Sequence, residues 1–368
     1  MPVTLTESPG SAPMPRVAAS QGADQSASVS SNTIAAVIPL YNKARFVTRA
    51  LESVLAQTKA VDEIIVVDDA STDGSLDKVK AFADPRLRLL RRTEPGPGGY
   101  AARNVAIRAA TSRWIAFLDA DDTWKDDFIA EISDLIARAP DTTGCVFTGH
   151  EKVWSDNRIV RDRYSARPGR RGVTGLDFEG FLSTWLDLGM SPIWTSACAI
   201  RRDVLIEAGL FPEQLCRLGG DKDTWLRTMA LTDALSSPRP GATYHTVTEN
   251  QVTRRETFNH RPCLIASVER MLADAVGVRR ALLMRLLNLE AFEQALMIDP
   301  REGVSADVYR GFAVRLNPLR YILLLGLTYL PGPLRKSLLA AISKGRNLRR
   351  RLERQAPIIE GNSPPAEV

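Results

Sequence analysis

Three acids fall within four residues, at Asp119, Asp121 and Asp122, and they end an apolar run, Trp114-Ile-Ala-Phe-Leu118, with the length and composition of a buried strand. Carboxylates crowded at a strand end repel one another unless a cation or good hydrogen bonds offset the field. The economical cation is Mg²⁺ or Mn²⁺, and a metal on Asp121 is an available way to hold phosphates. The competing reading is an acidic start to the helix that the pattern places near Lys125, since Asp and Thr suit helix starts. Histidine is scarce: His150, His245 and His260 are the only three, which excludes a His-rich metal site and leaves a Ser-His-Asp hydrolase without a motif.

Strands must carry these acids to one place. From Thr33 to His150 short apolar runs alternate with helical stretches, as in successive βαβ units. The runs are Ile34–Ile38, Glu63–Val67, Leu87–Leu90, Trp114–Leu118 and Cys145–Phe147, and Arg45 to Gln57 between the first two has apolar residues at a helical period. The predicted fold class is α/β, a mostly parallel sheet with helices on both faces. Ligands bind such sheets at the carboxyl ends of strands, where Tyr41-Asn42, Asp68-Asp69 and Asp119 to Asp122 stand. The first turn, Pro39 to Ala44, lacks GxGxxG and no GxxxxGK[ST] occurs, so phosphates must be held in another way.

With 368 residues, 44% of them hydrophobic, the chain can bury one large core or a core plus a smaller lobe. Residues 1–32 and 356–368 are predicted as disordered tails, because they are too poor in large apolar side chains to offset ordering entropy. No basic start precedes a continuous apolar stretch, so a cytoplasmic protein is expected. Cys145, Cys198, Cys216 and Cys263 are far apart without a CxxC pair, which predicts reduced packing residues. Charge is uneven. From Tyr309 to Arg354 eleven Lys or Arg face one acid, Glu353, giving +10 there and −5 elsewhere in a chain of +5. Basicity concentrated beside Leu-rich helical sequence points to an anionic membrane surface and not to nucleic acid. Two helices are predicted, Pro318 to Leu330 and Pro333 to Arg354, the first too short to span a bilayer. In the second, Leu334, Leu338, Ile342, Leu348 and Leu352 form one stripe, as in a helix lying in the interface.

Taken together, several segments resemble family 2 glycosyltransferases, GT-A fold enzymes of bacterial polysaccharide and glycolipid synthesis. They are Val37-Ile-Pro-Leu-Tyr-Asn42, Ser53-Val-Leu-Ala-Gln57, Ile64 to Ser75, Ala102-Arg-Asn104, Phe117-Leu-Asp-Ala-Asp-Asp122 and Gly220-Asp-Lys-Asp-Thr-Trp-Leu-Arg227. The likeness spans about 33–230. It implies a GT-A domain over 33–250, with 33–150 as the nucleotide-sugar half and 151–250 as the acceptor half, followed by a helical region over 251–355.

The resemblance also implies roles. Pro39, Tyr41, Asn42, Asp69, Arg103 and Asp119 would bind the donor, Tyr41 by laying its ring on the base and Asp69 by accepting from a base imide, which favours uracil or thymine, with a UDP-sugar as the favoured donor. Arg103 would approach the diphosphate or sugar, and Asp119 the ribose or the metal through water. Asp122 is expected to support these or to cap the next helix. Asp221 would be the catalytic base, with inversion at the anomeric carbon, and Asp223 a weaker alternative. Many relatives have Glu directly before this Asp, whereas Gly220 stands here. His245 lies near where some relatives place a late metal-side histidine, but its surroundings match poorly. Trp185 and Trp194 read as packing residues more naturally than as sugar platforms. The expected reaction moves a sugar from a nucleotide-diphosphate donor to a lipid-linked or polysaccharide acceptor. The alternatives are an inactive nucleotide-sugar-binding scaffold, against which both Asp121 and Asp221 argue, and a sugar-1-phosphate nucleotidyltransferase, which would need a Gly-rich loop after the first strand.

Overall fold

The computed structural model describes residues 32–167, 172–214, 216, 218–247, 259 and 261–355, with side chains as far as Gly345. The two tails expected from composition lie outside these, as does His260. From Asn32 onward the chain forms one compact unit.

Buried, β-rich runs become strands wherever both faces can be covered. In the first half these are β1 (Ile34–Leu40), β2 (Glu63–Asp69), β3 (Leu87–Arg92) and β4 (Trp114–Phe117). They pair in parallel in the order β3-β2-β1-β4, so the carboxyl ends of β2, β1 and β4 lie side by side. The helices α1 (Val47–Leu55), α2 (Ser75–Lys80) and α3 (Tyr100–Ala109) return the chain between them. The period read from Arg45 to Gln57 is realised in α1, which buries Val47, Ala50, Leu51 and Val54.

Beyond β4 the sheet changes character. After β5 (Thr123–Trp124) and α4 (Phe128–Arg138) come β6 (Thr143–Val153), β7 (Ile159–Arg161), β8 (Thr174–Leu176), β9 (Cys198–Arg201) and β10 (Asp233–His245). β9 inserts antiparallel between β4 and β6, while β6 and β10 are parallel; the full order is β3-β2-β1-β4-β9-β6-β10-β5. Helices α5 (Phe178–Leu188), α6 (Arg202–Glu207) and α7 (Gly220–Met229) belong to this half.

The C-terminal region consists of α8 (Cys263–Asp274), α9 (Gly277–Ala295), α10 (Pro318–Tyr329) and α11 (Gly332–Gln355). It shares a core with the sheet: Ile265, Leu283, Leu286 and Leu324 are buried in the same cluster as Phe117, Trp185 and Trp225. No helix among the described residues is long and apolar enough to cross a membrane.

Three expectations need correction. The helix read near Lys125 begins at Phe128, and Asp122 caps nothing, because β5 intervenes. Cys216 and Cys263 are joined in a disulfide with Cα atoms 5.7 Å apart, although 47 positions separate them in sequence. Packing of α8 on α7 brings them into the range a bridge can span, which spacing alone could not reveal. Cys145 and Cys198 are free and buried, as expected. Finally, the stripe read on the last helix is divided where its side chains are described: Leu338 packs partly buried against the core, Leu334 is exposed, and the side chains of Leu348 and Leu352 lie outside the described residues.

Candidate active site

The turns after β1 and β2 are built to hold each other. Asn42 adopts a positive φ of 50°, donates its N–H to Ser71 Oγ (3.0 Å) and accepts from Thr72 N–H through Oδ1 (2.8 Å). Asp73, not Asp69, serves the turn: its oxygens accept from the backbone N–H of Ser75 and of Ala44, both at 3.0 Å. Asp69 is thereby spared from capping. Its buried carboxylate pairs with Arg92, opposite it on β3, and accepts from Gly96 N–H (3.0 Å). A carboxylate has about four lone-pair sites, so acceptor capacity remains. Tyr41 stands just past β1, 43% exposed, its ring open to a planar partner.

Gly96-Pro97-Gly98-Gly99 leads from β3 into α3. Gly98 and Gly99 have φ near +60°, a region that costs other residues strain, and a Cβ on Gly99 would come 3.3 Å from Pro39 Cβ. This close approach brings Pro39, Gly99 and Arg103 together. Arg103 is buried, donates to Gly98 O (2.8 Å) and pairs with Asp119. Burial alone would lower the Arg103 pKa, and Asp119 more than offsets this, holding it above its usual value.

Asp121 is paired at 2.6 Å with Lys43 Nζ, and its carbonyl accepts from Arg49 (2.9 Å). Asp122 is buried; one oxygen accepts from Ser196 Oγ (2.6 Å), and Ser196 Oγ in turn accepts from Asp119 N–H (3.1 Å). The main-chain N–H of His245 also interacts with this carboxylate. Burial, then Asp119 and Asp121, push the Asp122 pKa well up. His245, at the end of β10, lies within electrostatic reach of Asp121, and its Nε2 is 3.2 Å from Thr123 Oγ1. Burial and the Arg49 charge pull its pKa down to about 4, so the ring is neutral at pH 7. A neutral imidazole is the form that ligates metals. Among the described residues no group of three acids, His or Cys forms a closed cage. Asp121 and His245 are the residues that would hold an ion here, with most of its ligands supplied by phosphate and water, as for Mg²⁺.

Across from these acids lies the start of α7. Asp221 sits in its first turn, within electrostatic reach of Asp119 and Tyr100, and among the described residues its carboxylate has no hydrogen-bond or ion-pair partner. Its neighbours are fastened instead. Gly220 N–H donates to Tyr100 Oη (2.9 Å). Lys222 pairs at 2.9 Å with buried Glu290 of α9, which also accepts from Trp185 Nε1 (3.0 Å). Asp223 is buried between Ser267 of α8 (2.6 Å) and Arg227 (2.9 Å), which removes it as an alternative base. Phe211 locks α7 to the sheet: it packs edge-on to both Phe117 of β4 and Trp225 of α7, while Asn104 holds its N–H and C=O, each at 2.9 Å.

The structure thus gathers Asp119, Arg103 and Asp221 around one space, with Asp121 beside Asp119, and sets Tyr41 and Asp69 on the neighbouring strand ends. Lys43, Tyr100, Ser196 and Glu290 were missed. Lys43 lay inside the first turn, Pro39 to Ala44, and Ser196 between Trp194 and Cys198; Tyr100 was signalled by the Gly-Gly before it, and Glu290 by nothing local.

The profile of glycosyl transferase family 2 matches residues 35–209. The chain is also 32% identical over 246 residues to a succinoglycan biosynthesis protein, ExoO, of Rhizobium meliloti, covering 64% of this chain and 67% of that one. The chain belongs to glycosyl transferase family 2. A second member, from Escherichia coli, is named a UDP-Glc:alpha-D-GlcNAc-diphosphoundecaprenol beta-1,3-glucosyltransferase; it is 42% identical over 91 residues, covering 25% of this chain and 36% of that protein. In fold, this family 2 enzyme resembles S. aureus TarS 1–349 crystallised with UDP-GlcNAc, with a TM-score of 0.64 at 15% identity over 85% of this chain and 92% of that one.

Membership gives the Gly220 departure a physical cause. A Cβ on Gly220 would lie 2.7 Å from the Tyr100 ring and 3.1 Å from Pro212. Tyr100 fills the space in which a glutamate would begin, and its hydroxyl takes up the helix N–H exposed there.

Proposed function

We propose that this glycosyltransferase inverts configuration, depends on Mg²⁺ or Mn²⁺, and moves a sugar from a UDP-sugar donor to a hydroxyl of a lipid-linked or polysaccharide acceptor at the inner membrane face. The observation that carries the reading is the Asp221 carboxylate, without a hydrogen-bond or ion-pair partner among the described residues and within electrostatic reach of Asp119 and Arg103, while Asp69, Asp119, Asp121 and Asp122 are each engaged.

Tyr41 would stack on the base and Asp69 accept from its imide N–H, a donor that uracil and thymine share, with uracil the favoured base. Asn42 and Pro39 shape the turn beneath it. Arg103 and Asp119 would meet the diphosphate and ribose. Asp121, with His245 beside it, would hold the metal, whose contribution when bound is Lewis-acid stabilisation of the departing diphosphate. Asp221 would take the acceptor O–H proton as the new C1–O bond forms and the C1–O bond to phosphate breaks, its electron pair leaving with the nucleoside diphosphate. The acceptor class is supported by the lipid-linked substrate in the name of the Escherichia coli relative and by the basic C-terminal helices.

Screening UDP, GDP and dTDP sugars for Mn²⁺-stimulated donor hydrolysis tests the reading. Release of UDP from one sugar, lost on chelation with EDTA, is the expected result; hydrolysis of GDP or dTDP sugars alone would overturn the uracil assignment, and none at all would overturn the enzymatic one.

A further inference from the structure

The helix α10 presents two apolar faces, and only one is used inside the fold. Leu324 and Leu327 are buried in the core. Leu319, Ile322 and Tyr329 are 68%, 62% and 75% exposed, and spacings of three and seven residues place them on one side of a helix. Leu316 before the helix and Leu334 after it are exposed as well. A Cβ on Gly326 would lie 2.9 Å from Leu338, so the two helices close together at this glycine and α11 spends Leu338 there.

The surrounding charge has one sign. Between Tyr309 and Gly345 the sequence contains Arg310, Arg315, Arg320, Arg335, Lys336 and Lys344 and no acid. Arg310 pairs with Asp307, and Arg320 lies over the Phe292 ring. Arg315, Lys336 and Lys344 are exposed and have no acidic partner among the described residues. Past Gly345 the sequence of α11 adds Arg346, Arg349, Arg350, Arg351 and Arg354.

We propose that the outer face of α10, with its flanking cations, is a docking surface for an anionic lipid bilayer. Its apolar side chains enter the acyl boundary while the cations meet phosphate headgroups. Twelve residues make a helix of about 18 Å, far less than a bilayer core of about 30 Å, so it lies along the interface. Charge decides against a second copy of this chain as the occupant, since a two-fold contact would set this acid-free surface against itself. The proposal deepens the lipid-linked acceptor reading and gives it a surface; chemistry at Asp221 does not depend on it.

The test uses the full chain in flotation with vesicles of phosphatidylcholine alone and of equal parts phosphatidylcholine and phosphatidylglycerol. Binding to the anionic vesicles only, weakened by salt, is expected. Leu319→Glu with Ile322→Glu should reduce the bound fraction at least 10-fold, and Arg315→Glu with Lys336→Glu should reduce it several-fold. These substitutions lie on the surface, and an unchanged melting temperature establishes that the variants fold. Equal binding to both vesicle types, no binding to either, or undiminished binding by both variants overturns the proposal. So does a dimer in light scattering that the variants dissolve. Donor hydrolysis is measured on the same samples: hydrolysis without flotation sinks this surface alone, and flotation without hydrolysis sinks the enzymatic reading alone.

Discussion

The two sides of the active site handle charge in opposite ways. On the donor side Asp69, Asp119 and Asp121 are each matched by a cation, Arg92, Arg103 and Lys43. On the acceptor side Asp221 has no such partner among the described residues, while Lys222 and Asp223 beside it are tied to α9 and α8. The donor side must stay intact with no ligand bound, and a cluster of carboxylates is stable there only if neutralised. A carboxylate that has to accept a proton gains from the reverse arrangement, an unblocked oxygen on a fixed backbone. The site thus places its cations where carboxylates are crowded and its fastening around the carboxylate proposed as the base.

The contrast is broken most severely at Asp221. Asp221→Asn keeps the shape and removes the proton acceptor, so kcat should fall by roughly 10²- to 10⁴-fold with UDP affinity by calorimetry unchanged; surviving transfer would move the base elsewhere. Glu290→Gln attacks the fastening and not the carboxylate. It should lower kcat by about 10-fold with little change in donor KM, and an equal loss in KM would show a general effect on folding. The smallest effect belongs to the donor side. Lys43→Met removes the cation competing for Asp121 and should tighten Mn²⁺ binding without nucleotide about 5-fold, the worth of roughly 1 kcal/mol for a partly exposed ion pair; weaker binding would mean that Lys43 assists the metal.

Sequence made the donor side far more legible than the acceptor side, because its parts are local. The ends of β1, β2 and β4 announce themselves as apolar runs ending in Tyr41-Asn42, Asp68-Asp69 and Asp119 to Asp122. The break at Pro331 separates α10 from α11 just as the residues require. What stayed hidden is held over distance. The four residues of β9 give little pattern, and their antiparallel place between β4 and β6 is decided by the sheet. The pairing of Lys222 with Glu290 crosses 68 positions and the disulfide 47, neither of which a local pattern encodes. The charge run at the C-terminus was legible, but the face it serves was not: the Leu stripe of α11 is the more regular, and only packing shows that part of it is spent against α10.

The contact between Tyr100 and Gly220 also orders the steps by which this enzyme can change. Glutamate at position 220 has no room while the tyrosine ring is present, so a path toward a Glu-Asp pair must shrink residue 100 first and pass through an intermediate whose α7 has lost the acceptor of its Gly220 N–H. Either substitution alone is a loss. The two positions behave as one heritable unit, and exchanging this loop with a relative's would succeed only if both were carried across together.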